Sequence, residues 1–506
     1  MVATTDIQTA DGIVRGRRGR RVLRWRAVPY AAPPVGEWRF RAPRPVQPWT
    51  GVRDATEFGF AAMQHRSGAR IGPRQYQPTS EDSLTLNVTA PVAESATPRP
   101  VMVFIHGGGY LMGTSALGLY SGARLALRGD VIVVSINYRL GAFGYVDFSE
   151  FSTPERPFES NLGLRDQVAA LEWVRRNIAA FGGDPDNVTV FGESAGAHAV
   201  LALFATPAAG GLFHRGIAQS PPADWAMTAD DARLFARRCL SALGADPADP
   251  TDAVRALTES SANDIRKAVA RVLSQVLREH PGLFAASPVV DGDFLPQSPI
   301  DAFTDGTAHQ LPLIIGTCRD EGTLFARFAD GLPTNPQRLH TVFTRAGEDV
   351  ESRVTAAYPG YPQNSVAVRM GGDYVFWRPS VTVMETHSRH APTYAYRYDF
   401  APRALQLAKV GATHATDLVP VFGATDGPIG RAFTAAGGRH GLQVVTRQFQ
   451  DNWLEFARTG APLPSWPAYT EERRTTLIID DPTRLEHDPD RAKRLAWQGI
   501  RASTLT

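Results

Sequence analysis

The chain has 506 residues, 43% of them hydrophobic and 21% charged, with a net charge of +2. These values allow a large core and exclude a chain drawn by its global charge to nucleic acid or acidic membranes. Two cysteines, Cys239 and Cys318, permit at most one bridge, which excludes a disulfide-built secreted scaffold.

The first residues, Met1 to Asp6, have no basic stretch followed by an apolar one, and no apolar run approaches the ~18 residues that span a bilayer. A cytoplasmic protein without a membrane partner is the expectation. The positive charge is nearly all arginine, since lysine occurs only at Lys267, Lys409 and Lys493. Asn87-Val88-Thr89 and Asn187-Val188-Thr189 match the glycosylation pattern and are read as accidental. Large α/β folds exceed the usual domain length, so the whole chain, 1–506, is expected to form one body.

In chain order, the arginine-rich stretch 15–26 sits in a predicted hairpin at about 10–30, where residues 12–15 and 22–25 alternate like half-buried strands around a glycine-containing turn. Its arginines are expected to be solvated. Residues 27–50, rich in proline and tryptophan, predict an ordered strap with little regular structure. Strands are predicted at 84–90, 101–105, 131–137, 188–191, 216–219, 313–316, 393–398 and 475–480. Helices fall between them, including 164–181 and 443–458. That alternation implies an α/β fold with a large, mostly parallel central sheet flanked by helices. Amphipathic helical pieces within about 221–311 and 323–391 predict insertions roofing the sheet edge where such folds place their sites.

The stretch Val188-Thr189-Val190-Phe191-Gly192-Glu193-Ser194-Ala195-Gly196 joins a β-rich run to a helix-favouring one. In that context Gly-x-Ser-x-Gly is a nucleophile elbow: the glycines let strand and helix approach, and Ser194 stands at the tip of a strained turn. A serine hydroxyl needs a base, an orienting acid and donors for the oxyanion. The glycine run in His106-Gly107-Gly108-Gly109-Tyr110, after a predicted strand, offers the amides of Gly108 and Gly109, joined by that of Ala195. For the base, His414 lies in a small-residue loop beyond a late strand, whereas His198 lies on the elbow helix and is expected to pack there. For the acid, residues 313–316 lead into adjacent carboxylates, Asp320 and Glu321, between which spacing does not decide. No metal-ligand motif or phosphate loop is visible, so no cofactor is expected.

Several motifs in order resemble the type-B carboxylesterases of the α/β-hydrolase fold, which include bacterial para-nitrobenzyl-type esterases, animal carboxylesterases and cholinesterases. They include Ser80-Glu81-Asp82-Ser83-Leu84, His106-Gly107-Gly108-Gly109, Asn137-Tyr138-Arg139-Leu140-Gly141, Asn161-Leu162-Gly163-Leu164, the elbow, Asp320-Glu321-Gly322 and His414. The resemblance runs nearly end to end. It implies Glu321 as the acid, His414 as the base, Glu193 as a buried carboxylate supporting the site, and a structural role for Asp320. It also implies an acyl-pocket segment at 281–288, with Gly282 and Phe284 as lining and Gly282 and Ala286 leaving room for a bulky acyl group. Ser83 stands where animal members have a cysteine, and the tryptophan that serves choline is missing, so cholinesterase-like specificity is not expected. Cys318 is read as a small buried residue. The expected activity is ester hydrolysis through an acyl-enzyme, on a small-molecule substrate, by a monomer or small homo-oligomer. Amide, carbamate, lactone or thioester hydrolysis would use the same machinery, and a catalytically silent esterase-like binder is the alternative of another class.

Overall fold

The computed structural model describes residues 3–72, 75–328, 331–347, 349–501 and 505. Its strands in chain order are β1 Thr4–Gln8, β2 Ile13–Arg18, β3 Val22–Pro29, β4 Val52–Asp54, β5 Arg70–Gly72, β6 Gln75–Tyr76, β7 Thr85–Pro91 and β8 Arg99–Ile105. There follow β9 Ile132–Ile136, β10 Gly183–Glu193, β11 Arg215–Gln219, β12 Leu313–Cys318, β13 Thr393–Tyr398, β14 Thr475–Ile479 and β15 Arg484–His487.

One large sheet runs in the order β1-β2-β3-β7-β9-β8-β10-β11-β12-β13-β14-β15, with β4 joined to β2, while β5 and β6 form a separate ribbon. From β9 through β14 every neighbouring pair is parallel. Antiparallel strands close both edges. The physical cause is visible in the residues: β9 and β12 are buried along their whole length, as strands covered on both faces must be.

Helices Leu162–Asn177 and Ala195–Phe204 contribute to the core on one face. Helix Arg439–Thr459 covers the other, placing Leu442, Val445, Phe449 and Trp453 against the sheet. A third cluster, containing Leu339, Phe343, Met370, Phe376 and Trp497, lies in the roof. The roof helices Ala229–Leu243, Ala262–Glu279, Pro299–Asp305 and Pro336–Ala346 each start at a Ser, Thr or Asn whose side chain accepts the backbone N–H three residues on. Between Asp373 and Trp377 the roof winds as one turn of π-helix.

Beyond the end of β3 at Pro29, the strap 27–50 contains only the short 3-10 turn Gly36–Trp38 and is anchored by its side chains. Tyr30 donates to the Asn137 carbonyl at 2.7 Å, and Arg39 pairs with Glu81 at 2.6 Å. Arg139 donates to both carboxylate oxygens of Asp166, at 2.8 and 2.7 Å, and reaches the carbonyl of Arg41. Both partners of this ion pair are buried, so it ties strap, sheet and helix from inside. In the hairpin, Arg15 pairs with Asp6 and Arg17 with Glu57.

Candidate active site

The site lies at the carboxyl ends of β10, β12 and β13. Ser194 follows β10 with φ 59° and ψ −128°, and helix Ala195–Phe204 begins at the next residue. A side chain in that region costs about 1–3 kcal/mol, so the surroundings must hold it. The Ser194 N–H donates to Gln219 of β11 at 2.8 Å, and its carbonyl accepts from His198 at 2.9 Å. The flanking glycines are required by close approach: a Cβ at Gly192 would lie 2.4 Å from the Gly196 carbonyl oxygen, and one at Gly196 would lie 2.1 Å from that of Ile105.

His414 Nδ1 is 2.6 Å from Glu321 Oε2, and the other oxygen of Glu321 accepts the Cys318 N–H at 2.7 Å. Glu321 is thus fixed at both oxygens and orients the imidazole. Asp320 faces the other way: its Oδ2 accepts the Ala412 N–H at 3.1 Å, and its own N–H donates to the Ala412 carbonyl at 2.9 Å. It braces the loop that carries His414. The rings of Phe376, on the π turn, and Phe325 lie 4.4 and 5.1 Å from the imidazole. His198 packs away from the site, its Nδ1 2.6 Å from the Tyr110 hydroxyl, and burial drives it down to about 3.

Gly107 lies against the elbow. A Cβ on Gly107 would sit 2.9 Å from Ser194 Cβ and 2.5 Å from the Glu193 carbonyl oxygen. Gly108 and Gly109 take φ +116° and +62°, a conformation that glycine adopts without a Cβ penalty. No described residue accepts from their N–H groups, while the Gly108 carbonyl is occupied by Leu111 and Met112. The Ala195 amide heads the elbow helix, where donors lack intrahelical partners and the dipole favours an anion.

The electrostatics are those of one imidazole among carboxylates. His414 Nε2 lies 3.1 Å from Glu193 Oε1, outside hydrogen-bonding geometry. Burial acts to lower His414, but Glu193 and Glu321 outweigh it and raise the imidazole to about 9. Burial pushes Glu193 up to about 8, against the pull of His414. These two groups titrate as a pair. A proton on Glu193 leaves Nε2 free as a base, and a proton on His414 makes an imidazolium held between anions.

Asp417 completes this arrangement and is not identified by sequence reasoning. It is fully buried and pushed by burial up to about 6, and its Oδ2 accepts from Gln219 at 2.8 Å and from the Tyr396 hydroxyl at 3.2 Å. The available signal was a carboxylate three residues beyond His414. Cys318 is buried, with its thiol pushed up by burial and by the same carboxylates, the opposite of a reactive cysteine.

In the segment 281–288, Phe284 lies 3.6 Å from where a Gly109 Cβ would be and stacks on Trp225 at 4.0 Å between centroids. Gly282 has φ +90°, and its missing Cβ points at Tyr374, Pro333 and Val375. Its smallness serves a turn packed against the roof, and Phe284 is the residue of this pair that faces the glycine run at Gly109.

Among the described residues, no group of three His, Cys, Asp or Glu side chains could hold a metal ion, and no helix is long and apolar enough to cross a membrane. The family model described as the carboxylesterase family matches residues 3–497. The chain is 39% identical over 493 residues to the para-nitrobenzyl esterase of Bacillus subtilis, covering 96% of this chain and 97% of that one. It is 33% identical over 468 residues to the phenmedipham hydrolase of Pseudarthrobacter oxydans, covering 90% and 91%. A solved para-nitrobenzyl esterase structure superposes with a TM-score of 0.87 at 38% identity, over 98% of this chain and 99% of that one. A Geobacillus stearothermophilus carboxylesterase gives 0.84 at 36% identity, over 98% and 100%.

Proposed function

This chain belongs to the carboxylesterase family and is a carboxylic ester hydrolase of the α/β-hydrolase fold, and we propose that Ser194, His414 and Glu321 carry out its chemistry. The observation that supports this most is the His414–Glu321 contact of 2.6 Å beside a serine held at positive φ. In this reading His414 Nε2 takes the Ser194 proton as Oγ attacks the ester carbonyl. The amides of Gly108, Gly109 and Ala195 hold the oxyanion, where each donor is worth about 2.7–4 kcal/mol in the transition state. His414 then returns the proton to the departing alcohol. Water, deprotonated by the same nitrogen, cleaves the acyl-enzyme. Glu321 keeps Nδ1 protonated, so that Nε2 is the nitrogen free to act. Glu193 sets the imidazole's proton affinity from the side opposite Glu321. Phe284 forms the wall of the acyl pocket.

The deciding test is hydrolysis of para-nitrophenyl esters by wild type and Ser194→Ala, with covalent labelling by a fluorophosphonate. Wild type should turn over and become labelled, and Ser194→Ala should do neither. Full turnover by Ser194→Ala would remove the assignment. A silent binder should not react with the label. We further propose one domain over 1–506, roofed by the insertions at about 221–311 and 323–391. The proposed assembly is a monomer or small homo-oligomer in the cytoplasm, a compartment that suits the two free cysteines. Light scattering tests the assembly, and cell fractionation tests the location.

A further inference from the structure

Helices Asn364–Gly372 and Arg378–His387 run into one another through the π turn Asp373–Trp377. Such a turn inserts extra backbone into a helix, and it recurs at functional sites. This one packs against both members of the proposed acid–base pair. A Cβ at Gly372, the residue before the turn, would lie 2.4 Å from the Gly322 nitrogen and 3.0 Å from Glu321 Cβ. Within the turn, the fully buried Phe376 ring lies 4.4 Å from the His414 imidazole, at an interplanar angle of 33°. A shift of the turn would uncover one face of the imidazole.

The turn is gripped at both ends. At its start, Asp373 Oδ2 accepts from the Tyr358 hydroxyl at 2.6 Å and lies 3.3 Å from Lys493 Nζ. The Tyr358 oxygen accepts in turn from Trp497 Nε1 at 2.7 Å. Just past its end, Arg378 donates to the Ile500 carbonyl, pairs with Asp224, and donates from Nε to the Tyr374 carbonyl at 3.1 Å. Lys493 and Trp497 belong to helix Arg491–Trp497, so the last part of the chain supplies most of the grip. Tyr358, Asp373 and Trp497 are buried, where hydrogen bonds are strong and an unpaired partner is costly.

We propose that Lys493, Asp373 and Tyr358 are positioning residues that act through the π turn, holding Phe376 against His414 and so fixing the imidazole for proton transfer. The inference rests on the assignment of His414 as base and adds the residues that keep that base in place. With the turn released, the imidazole can rock about its contact with Glu321. The loss then falls on turnover and spares substrate binding.

The test measures kcat and KM for para-nitrophenyl butyrate in wild type, Lys493→Met, Lys493→Arg, Tyr358→Phe, Phe376→Leu and the Lys493→Met/Phe376→Leu double variant. Rates are normalised to the active fraction titrated with diethyl para-nitrophenyl phosphate. Lys493→Met should lower kcat about tenfold and leave KM within about twofold of wild type, as a small misplacement of a catalytic group does. Lys493→Arg keeps the cation and should retain about half of kcat or more, and Tyr358→Phe, which removes only a hydroxyl, should lower kcat about threefold. The double variant should be no slower than Phe376→Leu alone, because both changes act through one ring. Losses that multiply in the double variant, a loss carried by KM, or Lys493→Arg as slow as Lys493→Met overturns the proposal. So does an unchanged kcat in Tyr358→Phe, even if Lys493→Met fails to fold. Full turnover by His414→Gln would instead remove the base assignment, and the positioning proposal with it.

Discussion

Replacing Glu193 by Gln keeps the shape of a side chain that is only 4% exposed and removes its charge. With Oε1 3.1 Å from His414 Nε2, Coulomb's law at an effective dielectric of ~20 gives about 5 kcal/mol of attraction for a full charge. At 1.36 kcal/mol per pH unit this is an upper bound of about 4 units on the imidazole. Burial holds Glu193 at about 8, so the carboxylate keeps a proton over much of the neutral range and takes back most of that effect. The sign is fixed: an imidazole raised by a neighbouring anion falls when the anion is removed. Glu193→Gln should therefore move the acid limb of kcat/KM downward by about one unit or more, leaving the base form populated at lower pH. Initial rates on a short-chain ester in a pH-stat, for both proteins across the acid and neutral range, measure this. An unmoved limb, or one shifted upward, would show that Glu193 contributes no negative charge to the imidazole and would refute the electrostatic account.

Glu321→Gln puts an amide where both oxygens now accept, against Cys318 N–H and His414 Nδ1, and should favour the wrong imidazole tautomer. We expect a fall in kcat of about 10⁴, read by steady-state assay. Gly108→Ala would place a Cβ 2.0 Å from the Met112 carbonyl oxygen at a φ of +116° and should rotate an oxyanion donor away. A loss of about 10²–10³ in kcat is expected, with circular dichroism unchanged. Arg139→Met strands the buried Asp166 carboxylate and should cost about 3–5 kcal/mol in urea unfolding.

The parallel core was legible in the sequence because β8, β9, β12, β13 and the 188–191 part of β10 are mostly apolar, β-branched or aromatic residues that announce themselves without a partner. The hairpin strands β2 and β3 were also expected, but β4 and β15 were not. Val52–Asp54 is exposed throughout and Arg484–His487 nearly so, and such segments become strands only because a neighbouring edge offers hydrogen bonds. The same division runs through the site. Ser194, Gly108, Gly109 and Ala195 belong to contiguous motifs whose backbone geometry is dictated locally. Asp417, Gln219 and Tyr396 come from separate segments and acquire their significance from burial around one imidazole, which no local pattern encodes. Gly282 shows the converse: its small size signalled open space, and the structure uses it for a turn beneath Tyr374.

The left-to-right order of the sheet has a consequence for how the enzyme is born. A ribosome delivers, in the proposed assignment, the oxyanion loop, then the nucleophile elbow, then the acid, and the base only with the loop after β13. At about 5–20 residues per second, roughly ten to forty-five seconds separate the emergence of Ser194 from that of His414. During that interval the nascent chain carries the elbow without the imidazole that would activate it. On the proposed assignment the catalytic set is complete only once His414 has been made and β13 pairs with β12.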